Sequence, residues 1–134
     1  MIFFWDKNTP KTIPQALQMV KPKNVEFKYY LQLFPRSDAS PEGGDDRWLQ
    51  TVGESGWTVI SQDYNFHNKE NELFALQQYN VGCFYLWGAE ATKWEILQCF
   101  ARGYDRIMEA ATTTAPPFIY WVTRTGLLKA QSLP

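Results

Sequence analysis

The sequence predicts an α/β fold, a three-layer sandwich in which a mostly parallel central sheet is flanked by helices. Apolar segments of strand length alternate along the chain with segments of helical periodicity, which is typical of such a sheet. The 134 residues suit one domain, residues 1–134. Hydrophobic residues make up 45% and charged residues 20% of the chain, which excludes a disordered or fibrous protein.

The first four segments are read from periodicity and composition. Ile2 to Trp5 is a short apolar strand, and a helix follows with Pro14 as a plausible first helical residue. Residues 25–34 alternate apolar and polar side chains and therefore predict a strand. Residues 35–44 are rich in Pro, Gly and Ser and predict a loop.

The rest of the chain continues the alternation of helix and strand. A helix begins at Asp45 or Asp46 and ends near Gly53 to Gly56. It is followed by a strand at 57–62, a helix at 68–80, a strand at 81–88, a helix at 92–114 and a strand at 117–126, with the closing segment LLKAQSL beside the last strand. The long helix is predicted to bury a face with i, i+3 and i+4 spacing, formed by Trp94, Leu97, Phe100, Ala101, Tyr104 and Met108.

Several classes of protein are excluded by what the sequence lacks. No apolar run approaches the roughly 18 residues that cross a bilayer, and the opening MIFFWDKNTP does not have the pattern of a secretory signal. Cys83 and Cys99 are not in a metal or redox spacing. We therefore expect a cytoplasmic protein with two free thiols and no membrane partner.

Charge is distributed unevenly along the chain. Residues 1–36 carry six basic and two acidic side chains, 6 − 2 = +4, and the remainder carries seven basic and twelve acidic ones, 7 − 12 = −5. A basic first segment is compatible with a polyanionic partner, although an ordinary solvated surface is the simpler interpretation.

Three acids are placed where they could meet. Asp6 and Asp63 follow predicted strands, and Asp45 precedes Trp48 and Leu49 by three and four positions on a predicted helix. The carboxyl ends of parallel strands share one side of a sheet, so we expect the three carboxylates to converge. Such crowding requires a cation, and oxygen ligands favour Mg²⁺ or Mn²⁺. Each acid alone could equally be a helix cap or a turn residue.

At this point the residues resemble a known family. The segments FFWDKN and DDRWLQTVGESGWTVISQD are similar to the pattern of PIN-like nucleases, in the branch of the VapC-like toxins. In that pattern an Asp is followed by two apolar positions, then by a Gly eleven residues after it and a strand-ending Asp eighteen residues after it. Asp45, Trp48, Leu49, Gly56 and Asp63 match this spacing, which favours Asp45 over its neighbour.

The resemblance implies a Mg²⁺- or Mn²⁺-dependent endoribonuclease, the toxin of a bacterial toxin–antitoxin pair. Asp6, Asp45 and Asp63 would be the catalytic, metal-binding carboxylates, with RNA as substrate and a cognate antitoxin protein as partner. A homodimer is compatible with the sequence but not specified by it. Related sequences often have a fourth acid where this chain has Asn65. Residues that could act as further ligands or outer contacts are Asp46, Asn65, Glu70, Glu72 and Asn8.

Other residues and functions complete the set of hypotheses. Lys7 could contact a phosphate, and Trp5 and Tyr64, beside the proposed acids, could stack on a base. One alternative is a catalytically inactive PIN-like binding module. A more remote one is a receiver-like signalling domain, but the paired acids that receivers carry after their first strand are replaced here by Asp6 alone.

Overall fold

The structure is a computed structural model that describes residues 1–34, 46–62, 70–88 and 90–133. These ranges contain a six-stranded sheet. Its strands are β1 (Ile2–Trp5), β2 (Glu26–Tyr29), β3 (Thr58–Ser61), β4 (Gly82–Leu86), β5 (Phe118–Val122) and β6 (Leu128–Gln131). The helices within the same ranges are α1 (Thr12–Val20), α2 (Tyr30–Leu33), α3 (Asp46–Ser55), α4 (Glu70–Gln78) and α5 (Lys93–Thr113).

The strands are arranged in the order β2-β1-β3-β4-β5-β6. Strands β1 to β5 are parallel to one another, and β6 is antiparallel to β5. The chain therefore builds outward from β1 in two directions, first to β2 and then to β3. The point between β1 and β3 where the direction reverses is the switch point, and ligands of open α/β sheets bind beyond the carboxyl ends of the strands there.

Both faces of the sheet are covered by helices, as the sequence predicts. Successive side chains of a strand point to opposite faces, so Phe3 and Trp5 pack with α1 and α5 while Phe4 packs with α3 and α4. The resulting three-layer α/β architecture confirms the predicted fold class. Within the described ranges, no helix is long and apolar enough to cross a membrane.

The strand predicted at 25–34 is wrong in its second half. Strand β2 ends at Tyr29, and the chain turns into the short helix α2. The Tyr29 backbone N–H donates to Gln32 Oε1 at 3.4 Å, and Phe34 N–H donates to the Tyr30 carbonyl at 2.8 Å. Tyr30 and Phe34 stack at 5.2 Å between ring centroids. This i, i+4 aromatic pair replaces the alternation of a strand.

The buried face of α5 agrees with the predicted one in part, because Phe100 is buried and Leu97, Tyr104 and Met108 are partly buried against the same core. Trp94 is 65% exposed, and Ala101 is exposed too. The residues that α5 buries are Ile96, Cys99, Phe100, Gly103, Ile107 and Ala110. Gly103 is the smallest of them, and an added Cβ there would lie 3.2 Å from the Gly126 carbonyl oxygen and from a Val122 methyl carbon. The small residue brings α5 close to the end of β5.

The turn after β5 ends that strand four residues earlier than predicted. Gly126 N–H donates to the Thr123 carbonyl at 2.9 Å, and Thr123 N–H donates to the Leu127 carbonyl at 2.8 Å. The chain then returns as β6, the pairing that the sequence suggests for LLKAQSL. Gly126 has φ +88°, a conformation that L-residues rarely adopt.

We predict that Gly126→Ala destabilises the protein by about 2–5 kcal/mol, the sum of the left-handed backbone cost and of overpacking. The new Cβ would lie 2.5 Å from the Arg102 carbonyl carbon. Gly56→Ala is the matched control, because Gly56 has φ +72° but open space around it. The control should lose only about 1–2 kcal/mol. Urea denaturation measures both, and equal losses would contradict the packing argument.

Candidate functional site

Asp6 lies directly after β1, at the switch point of the sheet. Its backbone N–H donates to the Ile60 carbonyl at 3.1 Å, which extends the β1–β3 ladder by one residue. Although it is a charged residue type, its side chain is only 3% exposed. A buried carboxylate is costly unless polar partners stabilise it, so the contacts of this group decide what it can do.

The Asp6 carboxylate is held by donors from two strand ends. The Ser61 hydroxyl, at the end of β3, donates to Oδ2 at 2.5 Å, and the Asn8 backbone N–H donates to Oδ1 at 3.0 Å. The Thr9 hydroxyl donates to the Asp6 carbonyl at 2.7 Å and closes the turn. The orientation of the carboxylate is thus fixed. Each of its two oxygens therefore accepts at least one hydrogen bond.

The protein side of Asp6 and Ser61 is apolar and closely packed. Both side chains face the α3 and α4 layer, where the space beneath them has no room for a water molecule. It is lined by Trp48, Leu49, Val59, Leu76 and Cys83. Charge interacts strongly in such a low-dielectric setting. On this side, the described residues leave the carboxylate no space for a water molecule.

Helix α3 approaches the same place with its first turn. The helix begins at Asp46, and its Trp48 and Leu49 line the space beneath Asp6. This agrees with the predicted start at Asp45 or Asp46 and with the predicted buried stripe. The first turn of α3 therefore packs beneath the buried carboxylate.

Most of the other predicted site residues lie outside the part of the chain whose side chains the structure describes. Asp45, Asp63, Tyr64 and Asn65 lie outside the described residues. Asp46, Glu70 and Glu72 belong to described helices, but their side chains are not described. Among the described residues, no group of three His, Cys, Asp or Glu side chains could hold a metal ion. The convergence of the three carboxylates stays a prediction.

The residues that flank Asp6 in sequence have different surroundings. Lys7 is exposed and lines a cleft that opens beside Asp6, which suits the predicted phosphate contact. Asn8 is exposed as well, and it reaches the carboxylate through its backbone N–H. The side-chain amide of Asn8, which the sequence suggested as a ligand, takes no part in this hydrogen bond.

The prediction that Trp5 stacks on a nucleobase is wrong. Its side chain is 0% exposed, and its ring lies edge-on to Phe100 with centroids 5.1 Å apart. The alternation of β1 explains the result, because Trp5 and Asp6 point to opposite faces of the sheet. Trp5 is a core residue of the α1 and α5 layer, so it has no face open to a base.

Cys83 and Cys99 are both buried, and neither forms a disulfide. The Cys99 thiol lies 3.4 Å from the Thr123 carbonyl, to which it donates. Burial raises the pKa of this thiol above its ordinary value. Cys99 therefore stays protonated near neutral pH and is not a reactive thiolate.

Ser61 is the residue of the candidate site that the sequence reasoning missed. It is 1% exposed and is the only residue of β3 whose side chain donates to Asp6 among the described contacts. The sequence contains an indication of this role. Val59 and Ser61 lie on the same buried face of β3, and Ser61 is a small polar residue at the end of that face. A further contact, from Gln62 Nε2 to the Gly88 carbonyl at 3.0 Å, ties the end of β3 to the end of β4.

Comparison with known proteins agrees with this arrangement. The family model described as a PIN-like domain matches residues 1–88, which include β1 to β4, Asp6 and Ser61. No protein of curated function and no solved structure gives a significant match. The matched segment covers more than half of the chain, and we conclude that this protein belongs to the family of PIN-like domains.

Proposed function

We propose that the protein is a Mg²⁺- or Mn²⁺-dependent endoribonuclease that hydrolyses RNA phosphodiesters with water as nucleophile. The observation that carries the proposal is the buried Asp6 carboxylate, oriented by Ser61 and Asn8 at the switch point. Membership of the PIN-like family supports it, because such domains are often nucleases. The metal-binding set that we propose is Asp6, Asp45 and Asp63.

The donor chemistry fits a hard divalent ion. Asp6 is a carboxylate at the switch point of the sheet, and carboxylate oxygens are ligands that Mg²⁺ and Mn²⁺ prefer. Asp63 is two residues beyond Ser61 in the chain, and successive Cα atoms are about 3.8 Å apart. Asp45 immediately precedes α3, whose first turn packs beneath Asp6. When bound, the ion would activate water and offset the charge that develops on the phosphodiester.

Two described hydrogen bonds orient the Asp6 carboxylate for ligand binding. Ser61 fixes the rotation of the carboxylate, and the Asn8 N–H holds its second oxygen, so little reorganisation is needed when a ligand arrives. The apolar lining under Asp6 excludes water from the protein side. In this proposal the ion binds the carboxylate at the rim of the sheet, where RNA would also bind.

The finer proposal is that the nuclease is the toxin of a bacterial toxin–antitoxin pair and that its partner is a cognate antitoxin protein. The likeness of the FFWDKN and DDRWLQTVGESGWTVISQD segments to VapC-like toxins supports it. A small open reading frame on the same transcript, encoding a protein that binds this chain and blocks RNA cleavage, would support it further.

A catalytically inactive PIN-like binding module is the second candidate. One observation favours it, namely that both carboxylate oxygens of Asp6 already accept hydrogen bonds from the protein. An Asp in this arrangement can serve the fold alone by closing a turn. The two candidates differ in whether the carboxylate also binds a divalent ion, and that difference can be measured.

We predict that Asp6→Asn abolishes RNA cleavage and leaves the fold intact. The change removes the charge of a direct ligand, so the loss should exceed the roughly 10- to 100-fold effect of outer-shell partners in metal sites. Cleavage of a labelled single-stranded RNA in Mn²⁺ measures the rate, and circular dichroism checks the fold. Asp63→Asn should behave in the same way.

The matched control is Asp105→Asn, the same chemical change at an exposed position of α5. It should cleave RNA at the rate of the unmodified protein. If Asp6→Asn and Asp105→Asn were equally active, Asp6 would not be a catalytic ligand and the nuclease assignment would fail.

We predict that Mn²⁺ raises the melting temperature of the unmodified protein but not that of Asp6→Asn. An ion that binds only the folded state adds about 2.7 kcal/mol of stability at one hundred times its dissociation constant, which corresponds to a rise of several degrees. Differential scanning fluorimetry over a Mn²⁺ titration measures it. No rise at millimolar Mn²⁺ would favour the inactive module.

We predict that Ser61→Ala weakens the site without removing a ligand. The buried carboxylate loses its hydroxyl donor, which should cost about 1–3 kcal/mol of stability, and misorientation should reduce activity by about 10- to 100-fold. Thr112→Ala removes an exposed hydroxyl that bonds the Met108 carbonyl and should change stability by no more than about 0.5 kcal/mol. Unchanged Mn²⁺ affinity and rate in Ser61→Ala would show that Ser61 does not position Asp6.

A further inference from the structure

A cleft opens beside Asp6, on the side of β2. Its volume is about 80 Å³, enough for several water molecules or a small anion. Asp6 forms one end of it. The other lining residues are Lys7, Thr9, Lys11, Tyr29, Tyr30 and Leu31. Two lysines in one cleft next to a proposed catalytic acid suggest an anionic ligand.

The basic residues of the segment 1–36 do not all line the cleft. Lys28 lies 3.8 Å from Glu26 and over the Trp57 ring at 5.6 Å, so its charge is already partnered. Lys21 follows the C-terminal end of α1 and lines a different depression. Lys11 precedes the N-terminal end of the same helix and lines the cleft. The positive charge of residues 1–36 is thus only partly directed at the proposed site.

Lys11 is the lining residue that we expect to contribute most to anion binding in the cleft. It is exposed, and within the described residues it forms no ion pair. A positive side chain at the N-terminus of a helix is disfavoured by the helix dipole, by about 0.3–1 kcal/mol when exposed. An anion in the cleft would reverse that cost, because it would be attracted both by the lysine and by the helix terminus.

Tyr29 is a further lining residue of the cleft. Its hydroxyl oxygen accepts a hydrogen bond from Gln15 Nε2 at 3.1 Å, so the hydroxyl hydrogen can be donated to another acceptor. Tyr29 is paired with Trp5 in the β1–β2 register, so it lies one strand away from the residue before Asp6. Neighbouring strands are about 4.8 Å apart, a distance that one nucleotide of a single strand can cover.

We propose that this cleft is an anion subsite that holds the RNA phosphate next to the one that is cleaved. Lys11 supplies the charge, Tyr29 supplies a hydrogen bond, and Lys7 borders the passage to Asp6. The inference rests on the proposed nuclease function for its ligand and specifies where the strand runs. It predicts that the RNA backbone leaves the active site across β2.

The test is RNA binding by the full chain in EDTA, so that metal-dependent cleavage and ion bridging play no part. Fluorescence anisotropy of a labelled single-stranded RNA at 50 mM salt gives the dissociation constant of each variant. Lys11→Gln should weaken binding by at least about 3-fold and lower the slope of log K against log salt by about 1, as for the loss of one phosphate contact. Tyr29→Phe should weaken binding more modestly.

The matched control is Lys21→Gln, the same change of charge at the other end of α1, about 15 Å away by helix length. It should alter binding by less than 2-fold. Folding cannot explain the expected contrast, because losing Lys11 relieves the helix dipole and losing Lys21 removes a favourable charge. Melting temperatures of both variants check this point.

The outcomes separate the subsite from the nuclease. Equal binding by Lys11→Gln and the unmodified protein, equal losses in the two lysine variants, or no RNA binding by the unmodified protein would each overturn the subsite. A protein that cleaves RNA in Mn²⁺ with no dependence on Lys11 keeps the nuclease and loses the subsite. A protein that binds through Lys11 but never cleaves keeps the subsite and loses the nuclease.

Discussion

The hydrogen bond between Ser61 and Asp6 joins the two strands on either side of the switch point, and the site depends on it. Strands β1 and β3 are far apart in sequence, yet the Ser61 hydroxyl lies 2.5 Å from the Asp6 carboxylate. A charged group with 3% exposure is stable only if its donors stay in place. The rest of the rim is organised around this contact, since α3 packs its first turn beneath it and the Asn8 turn closes over it.

The fold could be predicted from the sequence because its signals are local. The apolar runs of β1, β3 and β4 and the helices between them are found where periodicity places them. The errors occur at the ends of elements. Tyr30 and Phe34 pair across one helical turn instead of continuing β2, and Trp94 stays exposed in the first turn of α5. The alternation of apolar residues over 25–34 masks the i, i+4 spacing of Tyr30 and Phe34.

The candidate site was predictable to a smaller extent. A strand-ending acid is visible in sequence, and Asp6 is indeed at the switch point. Its partner Ser61 is an ordinary strand residue whose role emerges only from the register between β1 and β3. Trp5 shows the opposite error, because proximity in sequence to Asp6 suggested a surface role that the alternation of the strand excludes. Residues adjacent in a strand do not share a surface.

The strand order of the parallel sheet does not by itself identify a nuclease. The order β2-β1-β3-β4-β5 is shared with flavodoxin-like folds, which include receiver domains. What distinguishes this chain is the family match together with the residues at the rim, where a single acid follows β1 and is directed to the α3 and α4 layer.

The α1 and α5 layer, on the face of the sheet opposite to the Asp6 side chain, holds the backbone of Asp6 in place. Phe3, Phe27 and Phe100 pack with ring centroids 5.8 to 5.9 Å apart, and Trp5 joins the same cluster. Interlocked rings fix the backbone of β1 against α5 because close-packed interiors resist small shifts. Asp6 follows Trp5 directly, so the aromatic cluster sets the position of its backbone while Ser61 and Asn8 set the direction of its carboxylate. On the other face of β1, which carries the acid, Phe4 stacks on Trp48 with ring centroids 5.5 Å apart. Aromatic packing on both faces of β1 thus supports the position of Asp6.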